Sequence, residues 1–176
     1  MTTTLRADAE RNRGLVLEAA RAVFAEHGLE AGVAEVAERA GVGVATIFRR
    51  FPTKNDLLAA LLLTRVREIV ELARGAVTLR QFMTEAAELH MSDRGFCDCV
   101  GREVFERPEL EQGRAEARAL VGSLLRSAQR AGEVRTDVTA DDLPVILLGV
   151  ARSAPSDGWR RYLDFALDGL KPQPAQ

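Results

Sequence analysis

The segment that most constrains the fold of this chain is "VAEVAERAGVGVATIFRRF", residues 33–51, in which a glycine separates two short stretches of helix-forming residues. An alanine lies four positions before Gly41 and an isoleucine six positions after it, which is the spacing of a helix-turn-helix. The alanine lets two helices cross closely, and Gly41 can adopt the left-handed backbone conformation that ends the first helix. The segment therefore predicts two short helices, at 33–40 and 44–51.

Helical patterns also cover the rest of the chain. Apolar residues recur at helical spacing from Arg13 to His27, and Gly28 follows as a C-terminal cap. Thr53 can cap a long helix that runs to about residue 74, and Asp56 can complete a capping-box pair with it. Further helical stretches are expected near 79–91, 94–105, 108–131, 141–152 and 157–170. We therefore expect an all-α fold of about nine helices.

Composition and motifs argue against several classes of protein. The longest apolar run, "LLAALLL", is too short to cross a bilayer, and the first residues lack the apolar segment of a signal peptide, so we expect a cytoplasmic protein without a membrane partner. A phosphate-binding glycine loop, a nucleophile elbow and an HExxH motif are all missing from the sequence. The only histidines, His27 and His90, fall in separate regions. We therefore predict that the chain is not an enzyme and needs no cofactor.

The charge of the chain is close to balanced, with a formal net charge of −2, but its distribution is uneven. Between Arg39 and Asp56 the sequence has three basic residues and no carboxylate. In a helix-turn-helix the second helix enters the major groove, and basic residues near it contact phosphates. The residues we expect at DNA are Val44 and Ala45 at base edges, Thr46, Phe48, Arg49, Arg50 and Lys54 near the backbone, and Arg11 and Arg13 on the other side.

Each of these assignments has a structural alternative. Arg49 and Arg50 could form an ordinary solvated helix face, and Phe48 could pack beside Ile47 and Phe51. Val44 carries no hydrogen-bonding group, so base recognition would depend on apolar contact with thymine methyl groups or on Thr46.

Over roughly residues 11–62, through "VLEAARAVFAEHG" and "VAEVAERAGVGVATIFRRFPTKNDLLAAL", the chain resembles the TetR family of bacterial transcriptional repressors. The resemblance implies a homodimer that binds a near-palindromic operator through an N-terminal DNA-binding domain, residues 1–52. It also implies a helical effector-binding and dimerisation domain, residues 53–176, in which a small apolar or amphipathic molecule releases the DNA.

The chain departs from the common family pattern at four positions of this segment. Phe48 replaces a tyrosine, which removes a hydroxyl contact to phosphate, and Arg50 replaces a histidine, which supplies a charged contact instead. Ala45 stands where glycine is common. Gly32 stands where threonine or serine caps the next helix, and we expect this change to weaken the cap by a few tenths of a kcal/mol.

The C-terminal region offers two further sets of candidate residues. Soft and aromatic side chains there can line an apolar effector cavity, although ordinary core packing explains them equally well. The candidate pocket residues are Phe82, Met83, His90, Phe96, Leu125 and Leu147. Apolar stripes on the last two helices exceed what one small core requires and predict a four-helix dimer interface. The candidate interface residues are Leu147, Val150, Trp159, Tyr162, Leu163, Ala166, Leu167 and Leu170.

Two other functions stay open at this point. One is a helical protein that binds small molecules and has lost DNA binding. The other is a metal- or thiol-responsive sensor that uses His90, Cys97 and Cys99, but two residues apart on a helix the cysteines point to nearly opposite sides. A fourth ligand at suitable spacing is missing from the sequence, so we do not expect a metal site.

Overall fold

A computed structural model describes residues 2–92, 104, 106–153 and 157–172 of the chain. Over these residues the regular structure is helical, which confirms the all-α prediction. The described α-helices are α1 (Thr2–His27), α2 (Val33–Ala40), α3 (Val44–Arg50), α4 (Lys54–Gly75), α5 (Leu79–Ser92), α6 (Pro108–Arg130), α7 (Asp142–Ser153) and α8 (Trp159–Asp168). The helix predicted near 94–105 lies outside the described residues, apart from Val104.

The start of α1 differs from the prediction. The helix begins at Thr2, whereas the apolar pattern predicted a beginning at Arg13. The earlier residues contain no proline and include several strong helix formers, so their helix propensity explains why α1 begins before the apolar pattern. Between residues 11 and 28, the buried side chains begin at Val16.

The chain forms two compact units. The first unit comprises Met1–Thr64 and Gly95–Leu110, and the second comprises Arg65–Arg94 and Glu111–Gln176. The division in the polypeptide therefore falls within α4 and again near the start of α6. The functional boundary that we placed after residue 52 concerns binding rather than compactness, and it stays a prediction.

The core of the first unit joins α1, α2, α3 and the first half of α4. Phe24, Val36, Ile47 and Leu57 are all at most 1% exposed there. Leu110 belongs to the same core, although it lies far along the sequence. Leu57 and Leu110, which both fall within the predicted effector-binding and dimerisation domain, therefore contribute to packing around the helix-turn-helix.

The core of the second unit is formed by α5, α6, α7 and α8 with the later part of α4. Met83 and Leu143 are fully buried in it, and Leu163 is 2% exposed. Arg80 on α5 contacts Asp164 on α8 with a 2.7 Å ion pair at the surface of the same unit. None of the described helices is both long enough and apolar enough to span a membrane.

Candidate nucleic-acid interface

The turn between α2 and α3 has the geometry that the sequence predicted. Gly41 adopts φ 65° and ψ 30°, the left-handed conformation that glycine tolerates best. Its N–H donates to Glu38 O at 3.1 Å, and the N–H of Val42 donates to Ala37 O at 3.0 Å. These bonds satisfy the last carbonyl groups of α2, so the chain can turn sharply and start α3 at Val44.

The orientation of α3 is fixed by one buried side chain. Ile47 is 1% exposed and packs in the core of the first unit. Val44 and Phe48 are 39% and 43% exposed, and Ala45, Arg49 and Arg50 are also exposed. We call these five residues the outward face of α3. Thr46 is half-buried, and its N–H donates to Gly43 O at 2.8 Å.

An Arg–Glu ion pair and a His–Glu contact attach α1 to α2. Arg39 donates to both carboxylate oxygens of Glu26 at 2.7 Å, and this hydrogen bonding lowers the pKa of Glu26. Glu35 accepts the N–H of Gly32 at 2.8 Å and lies 2.9 Å from Nδ1 of His27. These two contacts, the backbone bond first, lower the pKa of Glu35. Glu35 and Arg39, near the two ends of α2, therefore have partners within the first unit. These contacts hold α2 in place relative to α1.

The start of α4 carries the capping box that the sequence predicted. The N–H of Asp56 donates to Oγ1 of Thr53 at 3.1 Å, and the N–H of Thr53 donates to the Asp56 carboxylate at 2.9 Å. Arg107 adds a contact that sequence reasoning missed, with Nη1 2.8 Å from Oδ1 of Asp56. The Arg107 guanidinium and then the Thr53 hydroxyl hold the pKa of Asp56 below its ordinary value.

Lys54 has a structural role that the sequence did not reveal. Its Nζ donates to the carbonyl of Ala31 at 2.7 Å and lies 5.5 Å from the centre of the Phe24 ring. The ammonium thus ties α4 to the turn before α2. The role of Lys54 at DNA stays a prediction.

The structure places the two α1 candidates away from the core. Arg11 is exposed and Arg13 is half-buried, and both precede Val16, the first buried residue in the part of α1 from residue 11 onward. Their role at DNA stays a prediction.

The predicted effector residues are mostly core residues of the second unit. Phe82, Met83, Leu125 and Leu147 are each at most 4% exposed. His90 is half-buried with Nδ1 2.8 Å from Ala86 O, and Phe96 lies outside the described residues. A surface groove of about 440 Å³ in this unit is lined by other residues, among them Leu79, Val134, Leu167 and Leu170. The assignment of an effector cavity therefore stays a prediction.

The predicted dimer residues fall into two groups. Within the protomer, Leu147, Val150, Trp159, Leu163 and Leu167 are each at most 8% exposed in the core of the second unit. Ala166 and Leu170 are half-buried, and Tyr162 is 48% exposed. Two residues that the sequence analysis left out, Val145 and Phe165, are 69% and 57% exposed. The exposed apolar surface of α7 and α8 is therefore formed by Val145, Tyr162 and Phe165.

A metal centre finds no support in the part of the chain that the structure describes. No group of three or more His, Cys, Asp or Glu residues there could hold a metal ion. Cys97 and Cys99 lie outside that part.

Comparison with known proteins gives two family matches along the chain. Residues 16–61 match the bacterial regulatory proteins of the tetR family, and residues 74–172 match the C-terminal domain of SbtR-like transcriptional regulators. The first match contains the helix-turn-helix, and the second covers most of the second unit.

Similar proteins of known structure or description agree with these matches. A TetR transcription regulatory protein from Mycobacterium vanbaalenii is 35% identical, with coverage of 96% of this chain and 99% of that one and a TM-score of 0.61. A TetR transcriptional regulator from Streptomyces coelicolor is 30% identical, with coverage of 92% and 99% and a TM-score of 0.63. The HTH-type transcriptional repressor LfrR of Mycolicibacterium smegmatis is 38% identical over 68 residues, which span 39% of this chain and 33% of that repressor.

Proposed function

We propose that this chain, which belongs to the TetR family of bacterial regulatory proteins, is a homodimeric repressor that binds a near-palindromic operator through α3 and releases it when a small apolar or amphipathic molecule binds. The outward face of α3 is the observation that carries this proposal. Buried Ile47 and the left-handed Gly41 hold the helix so that its apolar and basic side chains point to solvent.

Local charge supports DNA as the partner of this face. Residues 40–55 contain Arg49, Arg50 and Lys54 and no carboxylate. Two of the three carboxylates nearest to the segment in sequence have partners within the unit: Asp56 binds Arg107, and Glu35 accepts the N–H of Gly32 just before α2. A segment with three cations attracts the phosphate backbone although the whole chain has a net charge of −2.

Exposed apolar side chains support dimerisation through the second unit. Val145, Tyr162 and Phe165 project from α7 and α8, and Tyr162 contacts Phe165 edge to face with ring centres 6.3 Å apart. Exposed aromatic and aliphatic residues such as these are typical of protein interfaces. A two-fold dimer presents two copies of α3, so the operator would contain two related half-sites about one helical turn apart or more.

Helix continuity supports a link between effector and DNA. The division between the compact units falls within α4, after Thr64, and a second time near the start of α6, after Leu110. A ligand that favours one arrangement of these helices changes operator affinity by the same factor that operator changes ligand affinity. A typical coupling of about 1–3 kcal/mol corresponds to a roughly 5- to 150-fold change in affinity.

Selection of DNA from a random pool tests this function. Purified protein is incubated with random duplexes in the presence of unspecific competitor, and the retained fragments are sequenced. We expect an enriched near-palindrome whose affinity falls with salt. A protein that binds small molecules and has lost DNA binding would enrich no sequence, and this result would overturn the proposal.

A further inference from the structure

The large side chains at the leading end of α3 carry no hydrogen-bonding group. Val44 and Phe48 lie four residues apart and therefore share one side of the helix, with Ala45 beside them. All three are exposed, and their side chains carry neither donor nor acceptor.

Thr46, the one residue here with a hydroxyl, is placed differently. Its side chain is half-buried, and its Oγ1 lies 3.8 Å from the position that a Cβ on Gly43 would occupy. The hydroxyl thus faces the turn before α3. This leaves Val44 and Phe48 as the large side chains that the first turns of α3 present to solvent.

One apolar group in the major groove matches this surface. Among the base edges there, thymine alone presents a methyl group, at C5, and the other groups are hydrogen-bond donors or acceptors. A polar base edge placed against Val44 or Phe48 would lose water without gaining a partner. A methyl group placed there would bury apolar surface on both molecules.

We propose that Val44 and Phe48 recognise thymine C5-methyl groups in each operator half-site, and that sequence preference depends on these methyl contacts. The inference rests on the proposed function, since it takes duplex DNA as the partner. The basic residues that follow on the same helix, Arg49 and Arg50, favour a polyanion over an apolar protein surface.

Synthetic operators test the proposal directly. Each thymine of the selected operator is replaced in turn by deoxyuridine, which removes the C5-methyl group and keeps every base-pairing hydrogen bond. We expect about a fourfold loss of affinity at one or more half-site positions. This is the loss expected when one buried methyl group is removed. Fluorescence anisotropy at fixed salt measures the loss.

Variants assign the effect to residues. Val44→Ala or Phe48→Ala should abolish the deoxyuridine penalty at the position that the missing side chain contacts. Val77→Ala is the matched control, since Val77 is an exposed aliphatic residue of the second unit, and it should keep the penalty.

The outcomes separate the two proposals. If every deoxyuridine operator binds as tightly as the thymine operator while a scrambled duplex is rejected, methyl recognition is wrong and the proposed function stands. A penalty that both alanine variants retain also overturns the assignment to Val44 and Phe48. Absence of any sequence preference overturns the methyl proposal together with the proposed function.

Discussion

At the scale of single residues, Asp56 connects the start of α4 to a distant part of the chain. Its carboxylate accepts from Thr53 at the start of α4 and from Arg107, 51 positions later in the sequence. Because both contacts favour the ionised carboxylate, the pKa of Asp56 is lowered from its ordinary value of 3.8. A group with a lowered folded-state pKa contributes stability above its unfolded pKa and loses it as the pH falls through the folded value.

We therefore predict a pH-dependent effect of Asp56→Asn. At pH 7 the substitution should lower stability by about 1 kcal/mol, the typical value of a helix cap, which corresponds to about 2–4 °C in Tm. As the pH falls below about 3.8, the difference from the wild type should shrink, because the wild-type carboxyl group becomes neutral. Thermal unfolding followed by circular dichroism across this range checks it. Arg107→Gln should lose less stability than Asp56→Asn, and its loss should also shrink as the pH falls. A loss of stability in Asp56→Asn that stays constant with pH would contradict the account.

The two halves of this network differ in how predictable they were. Thr53 and Asp56 lie three residues apart, so their capping contact follows from local helix chemistry and was predicted from the sequence. Arg107 with Asp56 and Lys54 with Ala31 depend on how distant segments pack. Local spacing holds no information about such contacts, which is why the structural role of Lys54 was missed.

At the scale of elements, the left-handed backbone at Gly41, just after α2, disfavours every other residue type, and this cost can be measured. A side chain at Gly41 would meet no atom within 4 Å, so only the left-handed backbone opposes it. We predict that Gly41→Ala destabilises the protein by about 1 kcal/mol. Gly14→Ala is the matched control with the opposite sign, because Gly14 also has free space but lies inside α1. It should stabilise by about 0.5–1 kcal/mol, and equal effects of the two substitutions in chemical denaturation would refute the backbone argument.

The close contact between α4 and α6 in the second unit is the basis of a further prediction. A Cβ on Gly113 would lie 2.6 Å from Cγ1 of Val66, too close for any real contact. Although alanine is the better helix former, we expect Gly113→Ala to destabilise by about 1–3 kcal/mol through overpacking. Val66→Ala removes the clashing methyl group, so the double variant should recover part of the loss. A double-mutant cycle in urea with simple additivity would show that the crossing is not tight.

Helix ends were more predictable than helix faces. Gly28, Gly41 and Pro52 marked the ends of three helices, since each has a backbone property that stops a helix. On α8, by contrast, the sequence analysis placed Trp159, Tyr162 and Leu163 together in one apolar stripe. The side with Trp159 and Leu163 packs in the protomer, and the side with Tyr162 is exposed. Periodicity marks the apolar positions of a helix but does not say which of them face the core of the same chain.

At the scale of the whole molecule, the exposed apolar side chains of α7 and α8 predict that the protein is a dimer. Phe165→Glu or Val145→Glu places a charge on the apolar surface of α7 and α8, and we expect each to convert a dimer into a monomer at micromolar concentration. Helix content should persist, because both side chains are exposed in the protomer. Sedimentation velocity measures the mass, and Val77→Glu, at an exposed position outside these helices, should remain dimeric. A monomeric wild type would contradict the proposed interface.

The two-fold symmetry of a dimer also determines how strongly a substitution on α3 changes operator binding. If two protomers each present one α3, every substitution on that helix removes two contacts from the complex. The change in the free energy of DNA binding should therefore be about twice the change expected for one protomer.

The central claim is that the outward face of α3 binds operator DNA, and the salt dependence of binding tests it most directly. The measurement is a fluorescence-anisotropy titration of the selected operator at several salt concentrations, with wild type, Arg49→Gln, Arg50→Gln and, as a control, exposed Arg67→Gln. Each lost phosphate contact lowers the slope of log affinity against log salt by about 0.9, so a dimer should lose about two units. We predict that loss for Arg49→Gln and Arg50→Gln and an unchanged slope for Arg67→Gln. Equal slopes for all four proteins would contradict the claim.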